Sequence, residues 1–315
     1  MKYIVTGACG FVGSNLTKEL LRQGHQVLAI DDGSLGVREN LPSSNDKLFV
    51  EFGSKDVNLG SRWYYHFTSK PDGVFHLAAQ SSAPMYSAAP SNTMAKNVIG
   101  FNEVAQFCSI DGVPLVFAST SSMMRQGRIP DPQTFYELAK FQNEWSARVY
   151  QRELGLNATG LRFFSVYGPG ETHKGKYANL VTQFLKAAMA DEEVVVYGDG
   201  RQSRDFVFVG DLVRAIVLAM EREHQRTELA GSVRFHSVGT GHRTSINRLI
   251  EHIEALVGKN AKVKYVENPI KNYVKHTQAD EDDLMPGWNP EVSLNDGLRK
   301  TLEYLEDERN AEGRF

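Results

Sequence analysis

The first 32 residues constrain the fold more than any other stretch. Met1 to Thr6 is a short β-rich run. Gly7-Ala-Cys-Gly10-Phe-Val-Gly13 follows, and Ser14 to Arg22 then carries apolar residues at helical spacing until Gly24 closes the helix. Gln26 to Ile30 is a second strand, ended by Asp31-Asp32. Strand, glycine-rich turn, helix, strand and acid are the parts of a dinucleotide-binding unit, here with GxxGxxG spacing. Gly7 makes the tight turn, Gly10 lets the backbone approach a pyrophosphate, and Gly13 lets the helix pack on the sheet. The phosphates then sit at the helix N-terminus beside Phe11 and Val12. Asp31, 18 residues after Gly13, falls where a carboxylate accepts from a ribose 2′-hydroxyl, with Asp32 as a second cofactor-side candidate. The acid favours NAD, because it repels a 2′-phosphate. Arg38 keeps NADP open as a phosphate partner, the alternative for it being a solvated loop charge.

The chain then alternates. Leu48 to Phe52 reads as a strand, the segment around Trp63-Tyr-Tyr-His-Phe67 as a helix, and Gly73 to Ala79 as a strand running into a small-residue loop. Asn97 to Phe107 lies in a long helix, and Pro114 to Thr120 is a strand ending in hydroxyl residues. This alternation predicts an α/β fold, a Rossmann-type doubly wound parallel sheet, whose ligands bind beyond the carboxyl ends of the strands. Gly7, Ala78, Ala79, Ser119 and Thr120 should therefore share one edge.

On that side the next helix opens with Tyr136-Glu-Leu-Ala-Lys140. Positions i and i+4 share a helix face, so the phenol and the ammonium can enter one pocket. A free tyrosine has a pKa near 10, and a neighbouring cation favours the phenolate. The pair can then exchange a proton with a substrate hydroxyl. Tyr-x-x-x-Lys is common by chance, and its position after this sheet is what gives it meaning.

The 315 residues suffice for one large domain or two closely joined ones. A net charge of −3 without a basic run argues against a nucleic-acid or membrane surface. Cys9 and Cys108 have no zinc or disulfide spacing, no apolar run is long enough to span a bilayer, and the opening strand leaves no room for a signal peptide. A cytoplasmic location is expected, and no metal. The acidic run Asp280-Glu-Asp-Asp283 reads as a helical first turn.

Taken together, Thr6 to Gly13, His76-Leu-Ala-Ala79, Asn97-Val-x-Gly100, Phe117-Ala-Ser-Thr120, Tyr136-x-x-x-Lys140, Leu161-Arg-Phe-Phe164, Val166-Tyr-Gly-Pro169, Tyr197-Gly-Asp-Gly200, Arg204-Asp-Phe-Val-Phe-Val209, Asp211, Val238-Gly-x-Gly241 and Ala279-Asp280 resemble the extended short-chain dehydrogenases/reductases, of the NAD-dependent epimerase/dehydratase kind that acts on nucleotide sugars. The resemblance implies that Thr120 hydrogen-bonds the reacting sugar oxygen and Tyr136 is the acid/base. Lys140 would hold the nicotinamide ribose and lower the tyrosine pKa. It places Leu77, Ala78, Ala79, Ser81, Lys96, Asn97, Ser119 and Phe164 along the cofactor. Arg204 would grip a sugar-nucleotide phosphate, with Ser81, Ser121 and Ser165 facing substrate and Asn179, Leu180 and Tyr197 lining its nucleotide end. A homodimer through the helices of Asn97 and Tyr136 is implied by the same analogy.

The chain also departs from that pattern. Ser165 stands where the family usually has Asn, and Ser121-Ser122 where sugar dehydratases carry Asp-Glu, which argues against dehydration. Fifteen residues separate Thr120 from Tyr136, so one wall of the substrate pocket is rebuilt. His173-Lys174-Gly175 and Tyr273-x-x-x-Thr277 resemble ADP-heptose 6-epimerases, where that lysine is a second catalytic base and that tyrosine contacts substrate. The alternative for Lys174 is a solvated loop. Amphipathic helices at Tyr177–Ala190, Ser245–Val257 and Leu294–Glu306 suggest a smaller α/β substrate domain, while the one at Asp211–Glu221 returns to the cofactor domain. The division is 1–165 with about 205–242 for the cofactor, and 166–204 with about 243–315 for the substrate. The expected function is inversion of a carbinol carbon through a transient keto-sugar, first as a UDP-hexose 4-epimerase. An ADP-heptose 6-epimerase, a keto-sugar reductase and a non-catalytic NAD(P)-binding sensor are the alternatives.

Overall fold

A computed structural model describes residues 1–43, 45–53, 69–86, 89–124, 130–226, 231–269, 272 and 274–312. The expected helix at 63–67 and the substrate candidate Tyr273 lie outside them.

Seven parallel strands form the central sheet: β1 (Lys2–Thr6), β2 (Gln26–Asp31), β3 (Leu48–Phe52), β4 (Gly73–His76), β5 (Leu115–Thr120), β6 (Asn157–Phe163) and β10 (Ser232–Val238). Their order is β10-β6-β5-β4-β1-β2-β3. The order reverses between β1 and β4, which is where a doubly wound sheet opens a crevice at its carboxyl edge. Successive strand residues face opposite sides. Tyr3 and Val5 enter a core with α1 (Phe11–Arg22) and α5 (Val209–His224), whereas Ile4 enters one with α2 (Pro90–Asp111) and α3 (Phe135–Leu154). Burial on both faces explains the continuous apolar runs of these strands.

The chain also forms β7 (Ser165–Tyr167), α4 (Leu180–Ala190), β8 (Glu193–Tyr197), β9 (Ser203–Phe208), β11 (Arg243–Ser245), α6 (Ile246–Val257), β12 (Lys262–Val266) and α7 (Leu294–Glu312). β11-β9-β7 is a small three-stranded sheet, and β12 pairs with β8. Val181, Leu185, Ile246, Leu249, Ile253 and Leu298 close a third core between these helices.

Several boundaries differ from the sequence reading. β4 stops at His76, because Leu77 to Ala79 bend over the glycine turn. The helix expected from Tyr177 starts at Leu180, since Asn179 accepts the Val181 N–H as an N-cap and Thr172–Tyr177 is a 3-10 segment broken at Gly175. The acidic run at 280–283 is a single 3-10 turn capped by Asp280.

Candidate active site

The cavity at the carboxyl edge has a volume of about 730 Å³ and begins at the glycine turn. Gly7 has φ +69°, and a Cβ there would lie 2.6 Å from the Ala78 nitrogen. A Cβ on Gly13 would lie 2.0 Å from the Gly7 carbonyl oxygen. The turn therefore packs on itself and on the loop after β4, with no side chain between backbone and cavity at either point. Asp31 is held by backbone: one carboxylate oxygen accepts from the Cys9 N–H and the other from the Gly33 N–H, both at 2.9 Å. Burial raises its pKa, and these donors pull it back. A carboxylate offers about four acceptor positions, so it can still accept from a ribose hydroxyl. Glycine turn, helix start and acid, all lining one cavity, fit a dinucleotide.

Thr120 ends β5 and Tyr136 is the second residue of α3, so sheet edge and helix start bring both into the cavity. The start of α3 is fixed by a reciprocal cap. Glu137 N–H donates to Thr134 Oγ1 at 3.2 Å, and the Glu137 carboxylate accepts from Gln133 N–H at 2.7 Å. Tyr86 packs edge-on to the Tyr136 ring, centroids 5.9 Å apart. Lys140 follows one turn later. Its ammonium donates to the Ala118 carbonyl at 2.9 Å, and burial pushes its pKa down to about 8. The expected lowering of Tyr136 by Lys140 is corrected. Burial dominates and raises the phenol, hydrogen bonding to Thr120 lowers it, and Glu137 raises it further.

Most of the candidates line this cavity: Gly7, Gly10, Phe11, Val12, Gly13, Asp31, Asp32, Leu77, Ala78, Ala79, Ser81, Lys96, Asn97, Ser119, Thr120, Ser121, Tyr136, Lys140, Phe164, Ser165, Lys174, Asn179 and Arg204. Three are placed elsewhere. Arg38 donates to the Leu41 and Pro42 carbonyls, at 3.4 and 3.2 Å, so the cation that kept NADP open faces its own loop. Leu180 packs into the third core, because the Asn179 cap turns it inward. Tyr197 is 44 % exposed at the end of β8.

Others line the cavity but spend their polar groups on the protein. Asn97 accepts from Gln80 N–H at 2.9 Å and donates to the Gln80 carbonyl and to Tyr86, fixing the loop that carries Ser81. Ser119 donates to Glu144 at 2.7 Å. Lys96 lies 3.9 Å from Asp32, and Lys174 donates to Glu171 at 2.9 Å, so Lys174 is not a solvated loop charge. Arg204 donates to the Ser203 and Lys275 carbonyls, at 2.8 and 3.2 Å, while lining the cavity.

Sequence reasoning missed Glu171, which lines the cavity at 1 % exposure, and His173 beside it. It also missed the Glu144–Arg162 pair beneath Ser119, two bonds at 2.9 and 2.7 Å in the interior. An Arg inside the apolar strand β6 was the available signal, since a buried charge demands a partner. Gly36 was passed over too, although a Cβ there would meet Asp31 Oδ2 at 2.8 Å. Trp145 is 56 % exposed on α3, so it is not core. Among the described residues, no cluster of three or more potential metal ligands occurs, and no helix is long and apolar enough to cross a membrane.

Comparison with known proteins agrees with this geometry. Residues 3–231 match the model of the NAD dependent epimerase/dehydratase family. A UDP-glucose 4-epimerase from Mycolicibacterium smegmatis is 31% identical over 319 residues, covering 97% of this chain and 98% of that protein. The UDP-glucose 4-epimerase of Thermotoga maritima, solved with UDP-glucose, superposes with a TM-score of 0.86 at 30% identity, over 98% of this chain and 99% of that one. A UDP-N-acetylglucosamine 4-epimerase from Methanobrevibacter ruminantium, solved with UDP-N-acetylmuramic acid, gives 0.87 at 27%, over 98% of both chains.

Proposed function

Because the chain belongs to the NAD-dependent epimerase/dehydratase family, we propose that it is a UDP-hexose 4-epimerase that inverts a carbinol carbon through a transient keto-sugar. The observation that carries this reading is the convergence of Thr120, Tyr136 and Lys140 on the same cavity as the glycine turn and Asp31. NAD fits that cavity, held by the glycine turn and Asp31. When bound, it supplies the hydride acceptor and a ring cation that favours the Tyr136 phenolate.

The residues of the chain do the rest. Tyr136 takes the proton of the substrate hydroxyl and later returns it, and Thr120 holds that hydroxyl by a hydrogen bond. Lys140, tied to the Ala118 carbonyl, is placed to orient a cofactor ribose. Arg204 is the cation offered to the substrate diphosphate. Ser81, Ser121 and Ser165 present hydroxyls to the sugar, with Asn179 toward the nucleotide. The two-part division of the chain made from its sequence belongs to the same reading, and the separate third core supports it. A homodimer is supported by exposed Ile99 on α2 and exposed Trp145 and Val149 on α3, two helices packed side by side. Light scattering on purified protein checks it.

The test is turnover. UDP-glucose and UDP-galactose should interconvert without net NADH, and Tyr136→Phe should lower kcat by roughly 10²–10⁴. Turnover of a UDP-N-acetylhexosamine in their place would move the substrate and keep the mechanism. Unchanged kcat in Tyr136→Phe would sink it. An ADP-heptose 6-epimerase would require Lys174 as the second base.

A further inference from the structure

Lys174 sits on a strap, residues 169–174, that crosses from β7 toward α4. Its ammonium is 2.9 Å from Glu171 Oε1 and 5.4 Å from the centre of the Phe11 ring. Phe11 is the first residue of α1, directly after the Gly10 cap. The other Glu171 oxygen accepts from Thr182 Oγ1 at 2.9 Å, so the carboxylate is anchored to α4. The cation thus stands over the side chain of the first residue of the helix that follows the glycine turn.

Further contacts pin the strap to that turn. Asn15 of α1 donates to the Pro169 carbonyl at 3.0 Å and to the Phe11 carbonyl at 2.9 Å. Asn40 donates to the Cys9 carbonyl at 2.8 Å and lies 3.2 Å from His173 Nδ1. Gly170 has φ +90°, a conformation that calls for glycine, and a Cβ there would come within 3.3 Å of the Asn15 amide.

We propose that residues 169–174 form a latch over the pyrophosphate end of the cofactor, with Lys174 giving its charge to the cofactor phosphates rather than to the reacting carbon. This rests on the dinucleotide reading of the glycine turn. A helix N-terminus offers about half a positive charge to an anion. The Lys174 ammonium, held by Glu171 on one side, keeps its other N–H donors for a phosphate oxygen, and Glu171 aims it.

The test uses two ligands. ADP-ribose shares the pyrophosphate of NAD and lacks the nicotinamide. Titration of the full chain with each should show Lys174→Gln binding both about ten-fold or more weakly, the weight of one charge-assisted hydrogen bond. Lys174→Arg should recover most of that loss. Asn15→Leu cuts the Pro169 pin and leaves the cation in place, and should release NAD several-fold faster. It keeps the test open if Lys174→Gln fails to fold. Binding of both ligands within two-fold of wild type in a folded Lys174→Gln protein would overturn the latch and return Lys174 to the reacting carbon. So would unchanged NAD release in a folded Asn15→Leu protein. A wild-type protein that binds neither ligand would instead overturn the cofactor reading itself.

Discussion

The two halves of the cavity are built on different principles. The cofactor half is made of backbone: Gly7, Gly10 and Gly13 line it, and a Cβ at Gly7 or Gly13 would strike main-chain atoms at 2.6 and 2.0 Å. The half proposed for the substrate is lined by side chains, chiefly Ser81, Ser121, Ser122, Ser165 and the phenol of Tyr136, mounted on loops, strand ends and the start of α3. In the first half, geometry dictates residue type. In the second, several residue types fit one backbone, so selectivity can change there without changing the fold.

The floor shared by both halves offers the largest test of that contrast. Ser119 rests on Glu144, which is paired twice with Arg162 in the interior. Glu144→Ala leaves the guanidinium buried without its carboxylate and should cost about 3–5 kcal/mol of stability, read by urea unfolding. A loss below about 1 kcal/mol would mean that the pair is dispensable and that the two halves do not share a rigid base. Next comes Gly13→Ala. Its new methyl must move the Gly7 carbonyl, so we expect about 1–3 kcal/mol of destabilisation together with loss of NAD binding. An alanine variant that binds NAD normally would show that the cofactor half tolerates side chains after all.

This difference also explains what could be read from sequence. The glycine turn, Asp31 and the Tyr136/Lys140 spacing were legible because each is forced by local geometry. The strand order was legible only as a class, since pairing β4 beside β1 and β10 beside β6 depends on crossovers that leave no local mark. Arg38 was misplaced because its guanidinium satisfies the backbone carbonyls of its own loop first. Asn97 lines the cavity as expected, but its amide is spent on Gln80 and Tyr86. Glu171 was invisible, because only the fold shows that its carboxylate meets Thr182 and Lys174.

A smaller effect separates the sheet edge from the loops around it. His76 shares a 2.8 Å hydrogen bond with Thr6, and burial, reinforced by Lys140, pushes its pKa down to about 3. Its folded value lies below the unfolded value of about 6.5, so the unfolded chain binds the extra proton. The stability held by neutral His76 is complete above about pH 6.5 and is lost as pH falls toward 3. Between pH 6 and pH 5, wild type should lose about 1 kcal/mol more than His76→Asn, because one proton is worth about 1.4 kcal/mol per pH unit. Parallel pH profiles for the two proteins would place His76 in contact with solvent.

The smallest expected effect on stability carries the most information about substrate. Ser165 opens β7, lines the cavity and is partly exposed. Asparagine there adds an amide without touching the core, so stability should change by no more than about 0.5 kcal/mol. The cavity narrows on the sugar side, where a difference of one small group between two substrates is worth about 1–3 kcal/mol of discrimination. We therefore expect Ser165→Asn to change the ratio of kcat/KM for UDP-galactose over UDP-N-acetylgalactosamine at least several-fold, in favour of the smaller sugar. NAD affinity should stay constant, because the residue belongs to the side-chain half. A constant ratio would remove Ser165 from the substrate wall. A parallel change in NAD affinity would mean that the two halves are not independent, which is the point the comparison turns on.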